Sequence, residues 1–180
     1  MSRCTLVVTG APLALRSMDL TSALLRQGLE VDYVITEAAQ AWISDAELEG
    51  MDVHSRMSKP GGAAPRVPLP DVVLVCPATF NTINKLAAGV ADTHAHSFLC
   101  ECIGAGIPML LVPVINERLW NHRVLQPNLR WLETAGCVLA DPASLEQSVK
   151  PISSGQGKSI FDAFDVEAVA RLTTQLAAAS

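Results

Sequence analysis

The sequence lacks the features that mark several classes of protein. It has no basic stripe: 13 lysines and arginines stand against 18 acidic residues, and the net charge of -5 argues against a nucleic-acid partner, whose phosphates need cations. No apolar run reaches the roughly 18 residues of a transmembrane helix, and the opening "MSRCTLVVTG" has no signal-peptide core. We therefore expect a cytoplasmic protein that does not contact membranes.

The cysteines also lack the spacing of a metal or disulfide site. The "CEC" at 100–102 matches neither a zinc ribbon nor a disulfide framework, and the cysteines stand mostly in apolar runs. We therefore interpret them as reduced core residues and predict no metal site. The five cysteines are Cys4, Cys76, Cys100, Cys102 and Cys137.

What the sequence does contain is enough apolar material for one core. With 180 residues, 49% of them hydrophobic and 17% charged, residues 1–180 suit one domain and are short for two. Apolar runs without alternation predict buried strands, and the stretches between them predict helices, which together indicate a parallel sheet covered on both faces. The strands are predicted at 4–9, 29–36, 71–76, 108–114 and 137–141.

The helix predictions rest on amphipathic spacing and on end signals. Gly28 is expected to close the first helix, and residues 44–70, with "SKPGGAAPRVPLP", form the most loop-like stretch. The predicted helices are 12–28, a helix beginning at 37, 81–91, about 96–105, 118–136 and about 162–178.

The turns behind four predicted strands carry small, proline, hydroxyl or amide residues. In "TGAP", Gly10 permits a tight turn and Pro12 suits a first helical turn, whose free amides favour an anion, although a plain strand-to-helix turn explains the motif equally well. Thr36 follows the second strand, "PATFNT" (77–82) the third and "PVINERLW" (113–120) the fourth. Ligands of parallel sheets bind at the carboxyl ends of strands, so these turns predict a binding site.

The motifs resemble those of a known family. "PATFNT" resembles the "PASANT" motif, "PVINERLW" resembles "PxMNxxMW", and "LAAGVAD" (86–92) resembles "IANGICD" of the homo-oligomeric flavin-containing cysteine decarboxylases. The resemblance implies a Rossmann-like (flavodoxin-like) three-layer α/β sandwich with FMN at a subunit interface, in trimers that can assemble into dodecamers. The apolar stretch at 96–112 also predicts an oligomer, and the missing glycine fingerprint favours FMN over FAD.

The resemblance also implies roles for individual residues. Asn116 would bind the carboxylate of the substrate cysteine, the alternative being a helix cap, and Trp120 would contact substrate unless it is a core residue. Residues 150–160 would form a flexible substrate clamp that includes Ser153, Ser154 and Gly155. The residues expected to contact the flavin are Gly10, Ala11, Thr36, Pro77, Ala78, Thr79, Asn81 and Thr82.

Two branches of the family give two candidate reactions. Both are thought to oxidise the cysteine to a thioaldehyde, which loses carbon dioxide and leaves an enethiol; the coenzyme A enzymes then reduce it, with a clamp cysteine as proton donor. Here "KPISSGQGKSI" (150–160) has serines and no cysteine, and a serine is the poorer proton donor. This favours decarboxylation of the C-terminal cysteine of a ribosomally made precursor peptide, with no fused synthetase domain. Phosphopantothenoylcysteine decarboxylase of coenzyme A synthesis is the alternative.

One departure concerns the family's catalytic histidine, which stands in an "HIxL"-like segment ahead of the third strand. The corresponding "RVPL" (66–69) has an arginine instead, which cannot act as a base near neutral pH. His54 is the candidate replacement, with a surface loop residue as the alternative, and His94, His96 and His122 are the other histidines. The missing histidine keeps open a non-catalytic, flavin-binding regulatory paralogue and, more remotely, a Rossmann-like domain for another ligand.

Overall fold

The five predicted strands are present and form one parallel sheet. The computed structural model describes residues 1–44, 46–47, 69–153 and 157–179. The strand order is β2-β1-β3-β4-β5, the order of flavodoxin-like folds, which confirms the predicted fold class. The strands are β1 (Arg3–Val8), β2 (Glu30–Ile35), β3 (Val72–Ala78), β4 (Met109–Pro113) and β5 (Cys137–Leu139).

Helices lie between the strands and after the last one. Among the described residues, no helix has the length and apolar character needed to cross a bilayer. The first predicted helix begins as a 3₁₀ turn, Pro12–Arg16, and continues as an α-helix. The α-helices are α1 (Ser17–Arg26), α2 (Glu37–Gln40), α3 (Phe80–Ala87), α4 (His94–Gly104), α5 (Glu117–Trp120), α6 (Leu125–Thr134), α7 (Gly157–Ala163) and α8 (Val166–Ala178).

Gly28 closes α1 as predicted. It has a φ of 81°, a left-handed conformation that favours glycine, and its N–H donates to the carbonyl of Leu25 at 2.9 Å. The N–H of Leu29 donates to the carbonyl of Leu24 at 3.2 Å, which completes a Schellman motif. The chain therefore leaves α1 in the direction of β2.

The sheet separates two apolar layers built by alternate residues of the same strands. Leu74 packs in the cluster beneath α1 and α8, whereas its neighbours Val73 and Val75 pack in the cluster beneath α3, α4 and α6. Every residue of β3 and β4 is buried. Burial on both faces is the reason why these strands read as continuous apolar runs.

The prediction of a single helix at 118–136 was wrong, because the chain forms two helices, α5 and α6, with a break between them. Asn121 ends α5, and the N–H of His122 donates to the carbonyl of Leu119 at 3.1 Å as the chain turns. Pro127 has no N–H and falls in the first turn of α6, the only part of a helix that tolerates it well. The helix predicted at about 162–178 is likewise divided: α7 ends at Ala163, and α8 begins after Asp165, which caps it by accepting the N–H of Ala168.

The apolar stretch at 96–112 has a cause inside the single chain. Leu110, Leu111 and Val112 are fully buried in β4, and Leu99 and Cys102 of α4 pack on the sheet. These residues bury their apolar surface within one subunit, so the stretch alone does not call for a partner. The expectation of an oligomer therefore rests on the family resemblance alone.

Candidate active site

A cavity of about 980 Å³ opens at the carboxyl ends of the strands, where the sheet order reverses. The chain leaves β1 toward β2 on one side and returns to β3 on the other, which creates a crevice between these strand ends. The hydroxyl of Thr9 donates to the carbonyl of Pro77 at 2.7 Å and ties the two strand ends together. The described walls comprise 9–13, 34–38, 40, 42, 79–82, 85, 93–96, 114–116, 119, 152, 153 and 160.

The turn after β1 forms the first wall. Gly10 packs directly on α2, and a Cβ added to it would lie 2.7 Å from the Cβ and the carbonyl oxygen of Ala38. Only glycine therefore allows this turn to approach the helix. Thr36 donates its hydroxyl to the carbonyl of Val8 at 3.2 Å, and Gly10, Ala11 and Thr36 all line the cavity.

The "PATFNT" segment is divided between strand and cavity. Pro77 and Ala78 end β3 and do not line the cavity; the Ala78 carbonyl accepts a hydrogen bond from the N–H of Val114 at 3.0 Å. Thr79 caps α3: its hydroxyl oxygen accepts the N–H of Thr82 at 3.4 Å. Thr79, Asn81 and Thr82 line the cavity, whereas direct flavin contact by Pro77 and Ala78 has no support from their position.

Asn116 combines the two roles that the sequence left open. Its Oδ1 accepts the N–H of Leu119 at 3.0 Å and so caps α5. Its Nδ2 makes no hydrogen bond to the described residues, and the side chain lines the cavity. The cap fixes the amide with its acceptor turned to the helix, which leaves a donor for a ligand.

The beginning of the predicted clamp lies beside Asn116. The N–H of Ile152 donates to the carbonyl of Ile115 at 2.8 Å, and Ile152 pairs with Asn116 in a parallel bridge. The hydroxyl of Ser153 donates to Oε1 of Glu117 at 2.6 Å, and Ser153 lines the cavity. These bonds hold residues 152 and 153 at the end of β4.

Other predicted site residues fall elsewhere. Trp120 does not line the cavity; it packs against the apolar cluster that contains Leu125, as expected for a core residue, and Leu119 takes its place in the wall. His54, Ser154 and Gly155 lie outside the described residues, as does the segment 66–68. Their roles stay predictions.

His96 is the main site residue to which the sequence assigned no role. It is only 4% exposed, lines the cavity, and places Nδ1 2.6 Å from the hydroxyl oxygen of Thr93. Burial and the nearby Lys85 cation lower the pKa of His96, partly offset by Asp92. The sequence "THAH" carried a signal for this position. Thr93 caps α4 by accepting the N–H of His96, so His96 is the third residue of the helix.

The cysteines do not line the described cavity; Cys100 is partly buried, and the other four are buried core residues. All five are free thiols, and none belongs to the described cavity wall. Burial raises the pKa of Cys4 to about 12, of Cys102 to about 12 and of Cys137 to about 11. These thiols are protonated and inert at neutral pH.

The described residues fit a bound flavin. A volume of about 980 Å³ lies at the upper end of the 300–1,000 Å³ typical of cofactor and drug-sized ligand sites. Its walls combine aromatic and aliphatic side chains with a few polar groups. Nδ2 of Asn116 makes no hydrogen bond to the described residues and can donate to a ligand, whereas Nε2 of His96 is also unpaired but has almost no surface open to the cavity. Such unpaired groups are normally satisfied by a ligand or water.

Comparison with known proteins adds the family. A protein-family model described as Flavoprotein matches residues 1–166. The chain is 28% identical over 158 residues to the coenzyme A biosynthesis bifunctional protein CoaBC of Thermococcus kodakarensis, covering 84% of this chain and 39% of that protein. The chain therefore spans about two fifths of the length of that curated relative.

Two solved structures share the fold along nearly the whole chain. A mutant PPC decarboxylase has a TM-score of 0.71 at 20% identity, with 97% of this chain and 99% of that chain covered. The FMN-dependent cysteine decarboxylase TvaF from thioviridamide biosynthesis has a TM-score of 0.69 at 22% identity, with 99% of this chain and 99% of that chain covered. At these identities the likeness establishes the architecture.

Proposed function

Since the chain belongs to the flavoprotein family, we propose that it is an FMN-dependent decarboxylase of peptides that end in cysteine. Family membership confirms the predicted flavin cofactor, and FMN is the flavin named for the similar TvaF. The proposed substrate is the C-terminal cysteine of a ribosomally made precursor peptide, and the proposed product is the enethiol.

The observation that carries this proposal is the position of Asn116. Its Oδ1 is engaged by the N–H of Leu119, so its Nδ2 is the group left to bind a ligand at the cavity edge. A carboxylate only accepts hydrogen bonds and therefore suits this donor. Asn116 thus has the chemistry to bind the terminal carboxylate that the reaction removes.

The cavity residues would hold the cofactor and the peptide terminus together. Hydroxyl and amide groups of Thr79, Asn81 and Thr82 would contact the ring system or ribityl chain, and Gly10, Ala11 and Thr36 would lie by the phosphate. The bound flavin supplies the two-electron oxidation of the cysteine side chain. Ser153 lies in the clamp segment 150–160, where it would contact the peptide together with Ser154 and Gly155.

The positions of the thiols support a reaction that stops at the enethiol. In the resembling coenzyme A enzymes a clamp residue donates the proton for a further reduction, and in the clamp segment the described cavity wall offers Ser153. The chain's last cysteine, Cys137, is buried in β5, where burial raises its pKa to about 11. A serine hydroxyl is a far weaker acid than a thiol, so the second half-reaction has no suitable donor among these groups.

Phosphopantothenoylcysteine decarboxylase is the second candidate, because the relatives include CoaBC and the similar structures include a PPC decarboxylase. The two reactions differ in the mass of the product. Stopping at the enethiol removes carbon dioxide and two hydrogens, whereas decarboxylation followed by reduction removes carbon dioxide alone.

The test is mass spectrometry after incubation of the purified, FMN-loaded protein with cysteine-ended peptides and, separately, with phosphopantothenoylcysteine. We expect the peptides to lose carbon dioxide plus two hydrogens, while matched serine-ended peptides stay unchanged. Loss of carbon dioxide alone, from phosphopantothenoylcysteine only, would establish the second candidate. No change in either substrate would contradict both.

The cofactor and the assembly are tested separately. Heating the protein and separating the released flavin by chromatography should yield FMN, and FAD would contradict the proposal. We also propose a homotrimer or homododecamer with the flavin at a subunit interface, by analogy with the resembling family. Light scattering that returns a monomer would refute the interfacial site.

A further inference from the structure

Asp141 is the one buried carboxylate among the described residues. It lies two residues after β5, is 6% exposed and does not line the cavity described above. Its Oδ1 accepts three hydrogen bonds: from the N–H of Ala143 at 3.0 Å, the N–H of Ser144 at 3.0 Å and the hydroxyl of Ser144 at 3.3 Å. Its Oδ2 accepts the N–H of Lys150 at 3.0 Å. One oxygen therefore binds the turn after β5, and the other binds the first residue of the predicted clamp.

The bond to Lys150 explains why this position carries a carboxylate. Burying a charge costs free energy unless hydrogen bonds compensate for the lost water. An asparagine or a serine would cap the turn through a single oxygen, as Oδ1 does here, without a buried charge. The amide and the hydroxyl have no second acceptor oxygen, whereas a carboxylate has one. Only the bond from Lys150 uses that second oxygen.

The residues that follow Lys150 lead directly into the cavity. Pro151 restricts the backbone, because its ring fixes its own φ and limits the conformation of the residue before it. Ile152 pairs with Asn116 in the parallel bridge, and both Ile152 and Ser153 line the cavity. A shift of Lys150 would therefore also shift the two clamp residues that lie beside Asn116.

We propose that Asp141 is a positioning residue for the peptide substrate. By binding the N–H of Lys150, it keeps Ile152 and Ser153 in the arrangement that receives the peptide beside Asn116. The proposal rests on the function proposed above and adds the residue that orients the described start of the clamp. Asp141 acts through the backbone, since its own side chain does not line the cavity and contacts neither flavin nor peptide.

The first test is Asp141→Asn in the FMN-loaded protein. An amide that keeps the three bonds of Oδ1 turns its NH2 group toward the N–H of Lys150, so that two donors face each other. We expect KM for a cysteine-ended peptide to rise about five- to thirtyfold, the effect of losing one such bond. The value of kcat should change little, because the contact contributes equally to binding of the substrate and of the transition state.

Ser144→Ala is the matched control. It removes the hydroxyl that donates to Oδ1 and leaves the bond from Lys150 to Oδ2 in place, so it should keep the wild-type KM. A folded, FMN-loaded Asp141→Asn protein with the wild-type KM would refute the proposal. An equal rise of KM in both variants, or a lower kcat with an unchanged KM, would also refute it, because either result is that of a residue that only stabilises the loop.

The second test uses wild-type protein and does not depend on a variant that folds. Coupling is reciprocal: if the Lys150 bond improves peptide binding, bound peptide must stabilise that bond by the same factor. The flavin is chemically reduced so that a cysteine-ended peptide binds without being oxidised, and exchange of the Lys150 N–H with solvent is followed by NMR. Saturating peptide should slow this exchange about five- to thirtyfold. The N–H of Ala168, which donates to Asp165 at 3.0 Å at the start of α8, is the internal control and should exchange at an unchanged rate.

The outcomes of this second test distinguish the proposal from the proposed function. Unchanged exchange at Lys150, in a protein whose oxidised form decarboxylates the same peptide, refutes the role of Asp141 alone. Equal slowing at Lys150 and Ala168 indicates a general stabilisation by the bound peptide and refutes that role as well. Absence of decarboxylation from every substrate refutes the proposed function.

Discussion

Replacing Asn116 by aspartate changes the chemistry of the site while preserving its local structure. Asn116 caps α5 through Oδ1, and asparagine and aspartate are equally good caps. The variant should therefore keep the turn that leads into α5. What it loses is Nδ2, the donor at the cavity edge, which becomes a second carboxylate oxygen facing the substrate carboxylate.

The size of the effect follows from the separation of the two charges. Two unit charges about 4 Å apart repel by about 1 kcal/mol in water and about 4 kcal/mol at an effective dielectric constant near 20. Asn116 is exposed before the substrate binds, and the bound peptide and flavin would exclude much of that water. We therefore expect a fall in kcat/KM between about fivefold and a thousandfold, nearer the larger value.

The assay is release of carbon dioxide from a cysteine-ended peptide by the FMN-loaded variant. Asn121→Asp is the matched control, because it makes the same change of charge at the end of α5, outside the described cavity wall. The control should keep the wild-type rate, and both variants should keep their yellow colour. A flavin-loaded Asn116→Asp protein with the wild-type rate would refute the assignment of Asn116 to the carboxylate.

Three further predictions concern packing, acid sensitivity and the undescribed histidine. Gly10→Ala forces a Cβ to 2.7 Å from Ala38 and should lower the free energy of unfolding by about 1–3 kcal/mol, whereas Gly104→Ala has open space and should not destabilise; urea denaturation measures both. The lowered pKa of His96 means that the unfolded chain binds more protons below pH 6.5, so the wild type should lose stability as the pH falls from 7 to 5, and His96→Gln should lose less. His54→Ala should leave turnover nearly intact if His54 is only a loop residue, whereas a fall of about two to four orders of magnitude would show that it replaces the family's missing histidine.

The sequence by itself determined the layers of the fold and the end of the sheet that carries the site. Apolar runs without alternation, such as 71–76, mark strands buried on both faces, and that pattern is local. Cap signals are equally local, which is why the end of α1 at Gly28 was predictable. The break between α5 and α6 was missed because apolar residues recur at helical spacing across it, and only the position of Pro127 signalled the new start.

The tertiary structure alone decided which of these residues share a cavity. Three contacts at the cavity join segments that are far apart in the chain: Thr9 with Pro77, Gly10 with Ala38, and Asn116 with Ile152. The same holds for His96: its place at the start of α4 is local, but its burial and its unpaired Nε2 depend on the surrounding elements. Periodicity reports which face of an element is apolar and carries no information about which strands become neighbours. Strand order, which depends on the whole chain, therefore determines which residues form the site.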